Sequence, residues 1–423
     1  LHAKQPRHIT IMNSKNPTKW TWRTPAIAIT AACLLALLGF GTRGVYGFFL
    51  EPMTLDRGWD RGTFAMALAI QNLMWGFVTP IAGALAERFG QSKVIGLGAV
   101  VAAAGLWGMS LATSSSMLYL TAGIVEGVGV GFTSFTLAMA AMAKVVSPER
   151  RSIALGVCAS FGSLGQLVFS PLALGLIQTW GWESALIILA CITLGMLPLA
   201  LLLPSGKASE VVEGNVEQSF REALREAFAH RGYRLLNAGF FVCGFQIAFI
   251  MVHFPAYVTD LGLDPEVGAY SLALIGIMNI IGTFAAGFAG QRFSKKSTLS
   301  VLYTLRGFWI IALVTLPVSA SMICILAALM GLLWLAVVPL TTGIVGQMFG
   351  VRYMAMLSGI VMLTHQLGSF VGVWLGGWAY DHTGTYDLVW YLAIGLSFAA
   401  AALHWPIDER PVERLRTAVV PGI

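Results

Sequence analysis

Two ionisable residues stand where an apolar chain should tolerate none. Arg43 sits in "GTRGVYGFFLEP" (41–52), with no acidic residue until Glu51. Glu126, in "GIVEGVGVGF" (123–132), is the carboxylate that lies deep in an apolar run. Placing a cation at the centre of a bilayer costs roughly 2.5–3.5 kcal/mol even on the lenient insertion scale, so such residues usually have a task. A guanidinium remains protonated and grips a carboxylate in a planar fork. A lone carboxylate in apolar surroundings disfavours its charged form, which suits it to bind a proton. If a ligand anion and Glu126 compete for Arg43, substrate movement becomes coupled to a proton. The plainer alternatives are a structural Arg43–Glu126 ion pair, or an arginine spent on helix-end carbonyls or snorkelling to the surface.

These residues need helices in a membrane to hold them. The 423 residues are 57% hydrophobic and 11% charged, with mean hydropathy +0.76, whereas soluble domains carry about 25% charge. Apolar runs of helical length recur along the whole chain, which excludes a β-barrel built from segments of about ten residues. Charged and Gly/Pro breaks divide the chain into twelve predicted helices. They cover 25–50, 62–86, 94–112, 117–143, 152–177, 184–204, 235–258, 268–290, 298–317, 322–346, 354–380 and 387–405. The first apolar stretch is too long for a signal peptide, and the residues before Met12 are set apart as upstream sequence.

Charge placement gives an orientation. With both termini in the cytoplasm, 22 of the 26 Lys and Arg residues fall in cytoplasmic segments, and only Arg57 and Arg61 fall in outer loops. This positive-inside bias accounts for the basic composition without a nucleic-acid partner. The five cysteines are scattered without CxxC or Cys/His spacing, so neither a disulfide nor a metal site is expected. No HExxH, GxSxG or intramembrane carboxylate pair suggests an enzyme, and no cofactor is implied. The expected organisation is a cytoplasmic segment 1–24, a six-helix bundle 25–204, a cytoplasmic linker 205–234, a second bundle 235–405 and a cytoplasmic tail 406–423. Within the linker, "SFREALREAFAH" reads as an amphipathic surface helix.

The halves repeat. "GALAERFGQSK" (83–93) matches "GFAGQRFSKKS" (287–297), aligning Gly83 with Gly287, Arg88 with Arg292 and Phe89 with Phe293. Parallel repeats suggest a transporter with a midplane substrate site between its halves.

The first of these loops resembles the G-x-x-x-D-R-x-G-R-R motif of the major facilitator superfamily, with Glu87 in the Asp place. Small Gly83 is expected to let helices pack closely, while Glu87 and Arg88 offer an acid and a base for pairing. Twelve spans, a central linker and a half-length repeat extend the resemblance over essentially the whole chain. The texture is similar to the monocarboxylate porter and oxalate/formate antiporter branch. Arg43-G-V-Y-G-Phe48-Phe49-L-Glu51 fits that branch's first-span Lys-x4-Phe-Phe-x-Glu pattern, with Arg for Lys. In "GIMNIIGTFAAG", however, Asn279 takes the place of the branch's eighth-span Asp and Thr283 that of its carboxylate-binding Arg. "VHFPAYVTDLGL" (252–263) and "THQLGSFVG" (364–372) also look like this branch. The superfamily's fifth-span antiporter pattern is degenerate, with Gly156 and Gly165 in place but Ser170-Pro171 displaced.

The resemblance implies that spans 1, 4, 7 and 10 line the central cavity. Phe40 and Tyr46 share a helical face with Arg43 and become expected ligand contacts, as do Gln246, Asn279, Thr283 and Trp334. His253 and His365 join Glu126 as candidate proton carriers, each with a packing role as the alternative. Arg306, on a peripheral span, is expected to turn inward to a buried carbonyl or reach the inner surface. The expected protein is a monomeric, multi-pass transporter in a bacterial-type inner membrane. It would move a small organic anion, most plausibly a monocarboxylate, with protons. The rival reading is a multidrug or neutral-solute exporter of the same fold.

Overall fold

The computed structural model describes residues 25–143, 146, 148–203, 219–350 and 354–417. The N-terminal segment, the first part of the linker and the last residues of the tail lie outside the described residues. Among those described, every regular element is helical. Eleven helical stretches are long and apolar enough to cross a membrane, and one of them, Val157–Leu201, holds two spans. The helix Pro148–Leu194 carries both and turns at Gly181, whose φ of 78° suits glycine. The protein is therefore an all-α membrane protein of twelve spans in two six-helix repeats.

The spans are numbered in chain order. Span 1 runs Pro25–Arg43 and resumes at Leu50–Arg57, and span 2 is Arg61–Phe89. Span 3 is Gln91–Ser110, and span 4 is assembled from pieces between Ser115 and Ala143. Spans 5 and 6 flank Gly181, with Met196–Leu201 completing span 6. Span 7 is Arg231–Asp260, span 8 Pro265–Arg292 and span 9 Lys295–Thr315. Span 10 is Ala320–Leu333 followed by Val337–Phe349, span 11 is Met354–Thr383 and span 12 is Asp387–His404.

Among the described residues four spans are discontinuous: span 6 at Gly195, and spans 1, 4 and 10. Span 1 does not run unbroken over 25–50, because it stops at Arg43 and passes through a 3-10 turn, Tyr46–Phe49. Gly41, Gly44 and Gly47 lower helix propensity there, and Gly47 lies against the backbone of Met251 and Val252 in span 7. Span 4 contains a π-helical turn, Tyr119–Val125, then Glu126–Phe132, a break, and Phe135–Ala143. Span 10 is interrupted between Leu333 and Val337. Broken membrane helices and π turns are recurrent companions of binding sites.

Glycine spacing fixes span 4. Gly123, Gly127 and Gly131 recur every four residues, and a methyl on any of them would crowd span 2 at Ile70, Met74 and Val78. Gly129, on another face, meets the backbone of Ala102 in span 3. Without hydrophobic driving force between helices in lipid, such close packing is the main adhesive.

The linker helix Phe220–Ala229 occupies the expected amphipathic segment and starts with a capping box. Glu222 N–H donates to Ser219 Oγ at 3.3 Å, and Ser219 N–H donates back to Glu222 Oε2 at 2.7 Å. These Ser219 bonds hold the Glu222 carboxyl below its ordinary range. Arg414 of the tail donates to Glu226 of this helix and to the Phe349 carbonyl at the end of span 10.

Hydrogen bonds between the first and last six spans gather on the side away from the linker. Arg61 donates to both Asp260 oxygens, at 2.6 and 2.8 Å, and to Tyr386 Oη at 2.9 Å. Its guanidinium also lies 3.8 Å from the Tyr380 ring centre. Gly62 N–H donates to Asp381, Thr259 to Glu51 and Gln178 to Glu266. At mid-depth, Asn279 donates to Ser163 Oγ at 2.8 Å. On the linker side, a methyl on Gly83 or Gly287 would meet nothing within 4 Å among the described residues. Among those residues Gly83 therefore does not mark a close helix contact in this conformation.

Candidate functional site

Arg43 is the last residue of the first helical piece of span 1, where a cation complements the partial negative charge of the helix end. Its Nη2 donates to Asn72 Oδ1 of span 2. Its guanidinium carbon lies 4.1 Å from the Trp75 ring centre, a cation–π contact worth about 0.5–2 kcal/mol. Its Nε is buried without a partner.

The Arg43–Glu126 ion pair, one of the alternatives open from the sequence, does not form. Among the described residues Arg43 makes no ion pair. Tyr46 instead donates its hydroxyl to Glu126 Oε1 at 2.5 Å. Glu126 is 2% exposed, and its Oε2 is buried without a partner. The carboxylate starts the helix that follows the π turn, and its backbone lies tight against Gly105 of span 3.

Two cavities meet at Arg43. The larger, about 470 Å³, lies within the first six spans and reaches Phe40, Thr42, Trp75, Glu126, Thr133 and Thr193. The smaller, about 300 Å³, lies between spans 1, 2 and 7, with Tyr46, Gln71, Asn72 and Met251 on its walls. Arg43 thus faces both the interior of one bundle and the seam between the two.

Several expected contacts are used elsewhere. Gln246 does not line either cavity: it donates to Ser397 Oγ at 2.5 Å and to the Ala393 carbonyl at 3.1 Å, tying span 7 to span 12. Asn279 is also withdrawn, since its Oδ1 accepts from Leu335 N–H at 2.9 Å and from Thr283 Oγ1 at 3.2 Å. Asn279 and Thr283 thereby bridge spans 5, 8 and 10. Trp334 is buried at the break of span 10, where its carbonyl accepts from Arg306 at 2.5 Å. Span 10 therefore adds no wall to these two cavities, against the expectation of spans 1, 4, 7 and 10.

Both candidate histidines are packed. His253 shares a hydrogen bond with Tyr386 Oη at 3.3 Å and one with the Val373 carbonyl at 2.9 Å. Because Nε2 faces a carbonyl, it carries the hydrogen, and Nδ1 is left to accept from Tyr386. His365 lies against Phe240, ring centres 5.0 Å apart, with Ser369 Oγ 3.5 Å from its Nδ1. Neither lines the two cavities.

Arg306 turns inward, as the carbonyl reading anticipates. It is fully buried and donates to the carbonyls of Leu333, at 2.6 Å, and Trp334. It thus satisfies acceptors that the break in span 10 leaves open. At the linker-side loops, Arg88 and Arg292 are exposed, and the side chain of Glu87 lies outside the described residues.

Sequence reading missed Thr42, Asn72, Trp75, Thr133 and Thr193. An amide and an aromatic side chain at spacing three on span 2 were the available signal for Asn72 and Trp75. Nothing local distinguishes the three threonines from ordinary membrane threonines.

A sequence model of the Major Facilitator Superfamily matches residues 32–320 and 236–420. Monocarboxylate transporter 13 of Bos taurus is 26% identical over 379 residues, covering 88% of this chain and 86% of that one. Monocarboxylate transporter 11 of Homo sapiens is 27% identical over 411 residues, covering 91% and 82%. An uncharacterized MFS-type transporter, YcxA of Bacillus subtilis, is 25% identical over 361 residues, covering 82% and 86%. Among solved structures, the nucleoside transporter NupG superposes with TM-score 0.73 at 13% identity, over 90% of this chain and 99% of that one. The inward-open xylose transporter XylE from E. coli gives TM-score 0.68 at 14% identity, over 90% and 96%.

Proposed function

The chain belongs to the major facilitator superfamily, and from that premise we propose that this transporter moves a small organic anion, a monocarboxylate, coupled to protons. The observation that carries the reading is Arg43. It is a cation facing two cavities, steadied by Asn72 and Trp75, and no carboxylate pairs with it directly among the described residues. A guanidinium without a paired carboxylate at membrane depth favours an anionic ligand. Relatives named as monocarboxylate transporters add weight.

The bundles 25–204 and 235–405 rock about the seam between them. The positive-inside bias of the basic residues supports an orientation with the linker and both termini in the cytoplasm. The latch of Arg61, Asp260 and Asp381 then closes the outer face, and the site opens inward. Glu126 is the proton carrier. A proton taken there removes a negative charge from the neighbourhood of the ligand anion, while Tyr46 holds the carboxyl in place. Exchange needs no net proton, whereas accumulation does.

The test is uptake of a carboxylate panel into proteoliposomes by wild type and Arg43→Gln. Losing a charge-assisted hydrogen bond costs about 1.5–3 kcal/mol, so uptake should fall roughly ten- to a hundredfold. Transport of dyes or cationic drugs, with no Arg43-dependent uptake of any carboxylate, would sink the reading in favour of an exporter.

A further inference from the structure

The larger cavity holds an asymmetry of hydrogen-bonding partners. Three threonines line it: Thr42 on span 1, Thr133 on span 4 and Thr193 on span 6. Each hydroxyl hydrogen is already committed to its own helix. Thr42 donates to the Leu38 carbonyl at 2.7 Å, Thr133 to Gly129 at 3.0 Å and Thr193 to Leu189 at 2.8 Å. A hydroxyl that donates backwards in this way retains only acceptor lone pairs for a ligand.

In its unprotonated form, the one that exchange uses, Glu126 adds a further acceptor. Its Oε1 receives the Tyr46 hydroxyl, while Oε2 is buried, unpartnered and on the cavity wall. The opposite pole is Arg43, which has only donors. The cavity thus sets the donors of Arg43 on span 1 against acceptor oxygens of Glu126 and Thr133 on span 4 and Thr193 on span 6, with Thr42 beside Arg43 and with Phe40, Ser134 and the Trp75 ring completing the wall.

We infer that the substrate is a carboxylate bearing hydrogen-bond donors, O–H or N–H, on the part of the molecule remote from the carboxylate. This rests on the anion reading of Arg43 and narrows the substrate class at the same site. A bare alkanoate would leave Glu126 Oε2 and the threonine oxygens without partners, and a keto acid would set acceptor against acceptor. A site built to hydrogen-bond a ligand group discriminates strongly against the analogue that lacks it, because its own polar groups stay unpaired.

Four chains of similar length make the test: butyrate, 4-hydroxybutyrate, 4-aminobutyrate and 4-oxopentanoate, compared by counterflow in proteoliposomes of the full chain. We expect at least one donor-bearing compound to reach half-saturation at a concentration tenfold or more below butyrate and the oxo acid. That ratio should collapse towards one in Thr133→Val and Thr193→Val and return in the matching Ser variants. A ratio within one preparation does not depend on how much variant protein folds. A preference for the amine that disappears in Glu126→Gln identifies the Glu126 oxygen as the acceptor. A preference for the alcohol that survives Glu126→Gln identifies the threonines. Equal or better handling of butyrate or 4-oxopentanoate overturns the inference, as does a preference untouched by every one of these variants. Carboxylates that enter through Arg43 without discrimination refute this inference alone. If none enters in an Arg43-dependent way, the anion reading itself has failed.

Discussion

Arg43 and Glu126 line one cavity without forming an ion pair, and each has another partner. A tyrosine hydroxyl donating to the carboxylate leaves the guanidinium to Asn72 and Trp75. Glu126→Gln keeps the shape but cannot take up a proton. We expect it to abolish accumulation driven by a pH gradient while sparing exchange across equal pH. Uphill uptake retained in that variant would move the proton elsewhere. Arg43→Lys tests the geometry of the cation. An ammonium keeps the charge but loses the planar stack on Trp75, so half-saturation should rise roughly fivefold, by the ~1 kcal/mol of a cation–π contact. Unchanged half-saturation would mean that charge alone suffices.

The broken helices set where these residues sit. Arg306 and the gap in span 10 form one structural unit, because the guanidinium serves two carbonyls that no helix bond reaches. Arg306→Met removes both bonds at once. At about 1–3 kcal/mol for each buried acceptor left unpaired, thermal unfolding in detergent should shift down by several degrees. Folded Arg306→Met should still bind the carboxylate; loss of binding at unchanged stability would place Arg306 in the site instead. Span 4 starts on a Ser114 cap but is held to its neighbours by close glycine contacts. Gly129→Leu would push against the Ala102 backbone and displace Glu126, so both stability and accumulation should fall. Normal transport in that variant would show that the span 3–span 4 contact is slack.

At the scale of the whole molecule, the conformation is asymmetric across the membrane. Ionic and hydrogen-bonded ties join the repeats at the side away from the linker, and the paired glycines Gly83 and Gly287 lie open on the linker side. Arg61 is the hub of these ties, touching spans 7 and 12 together. Arg61→Gln should weaken the closed face. A cysteine at Met251, on the smaller cavity, should then react faster with a membrane-impermeant maleimide added from that face. No gain in labelling would show that apolar packing closes the face without the latch.

The helical class, the twelve spans, the linker helix and the half-length repeat were legible in the sequence. They follow from hydropathy, charge placement and spacing along the chain, which are local or strictly periodic quantities. So was the oddity of Arg43, since a charge in an apolar run announces its own cost. The partners of that charge were not legible. Whether Gln246 or Asn279 meets a ligand or another helix depends on how each span is rotated and where it breaks. Those are settled by packing between residues more than a hundred positions apart, such as Gln246 with Ser397 or Asn279 with Ser163. The sequence therefore determined that this chain holds a cation within a membrane. Only the tertiary structure decided that Tyr46, rather than Arg43, meets Glu126, and that threonine oxygens line the space between.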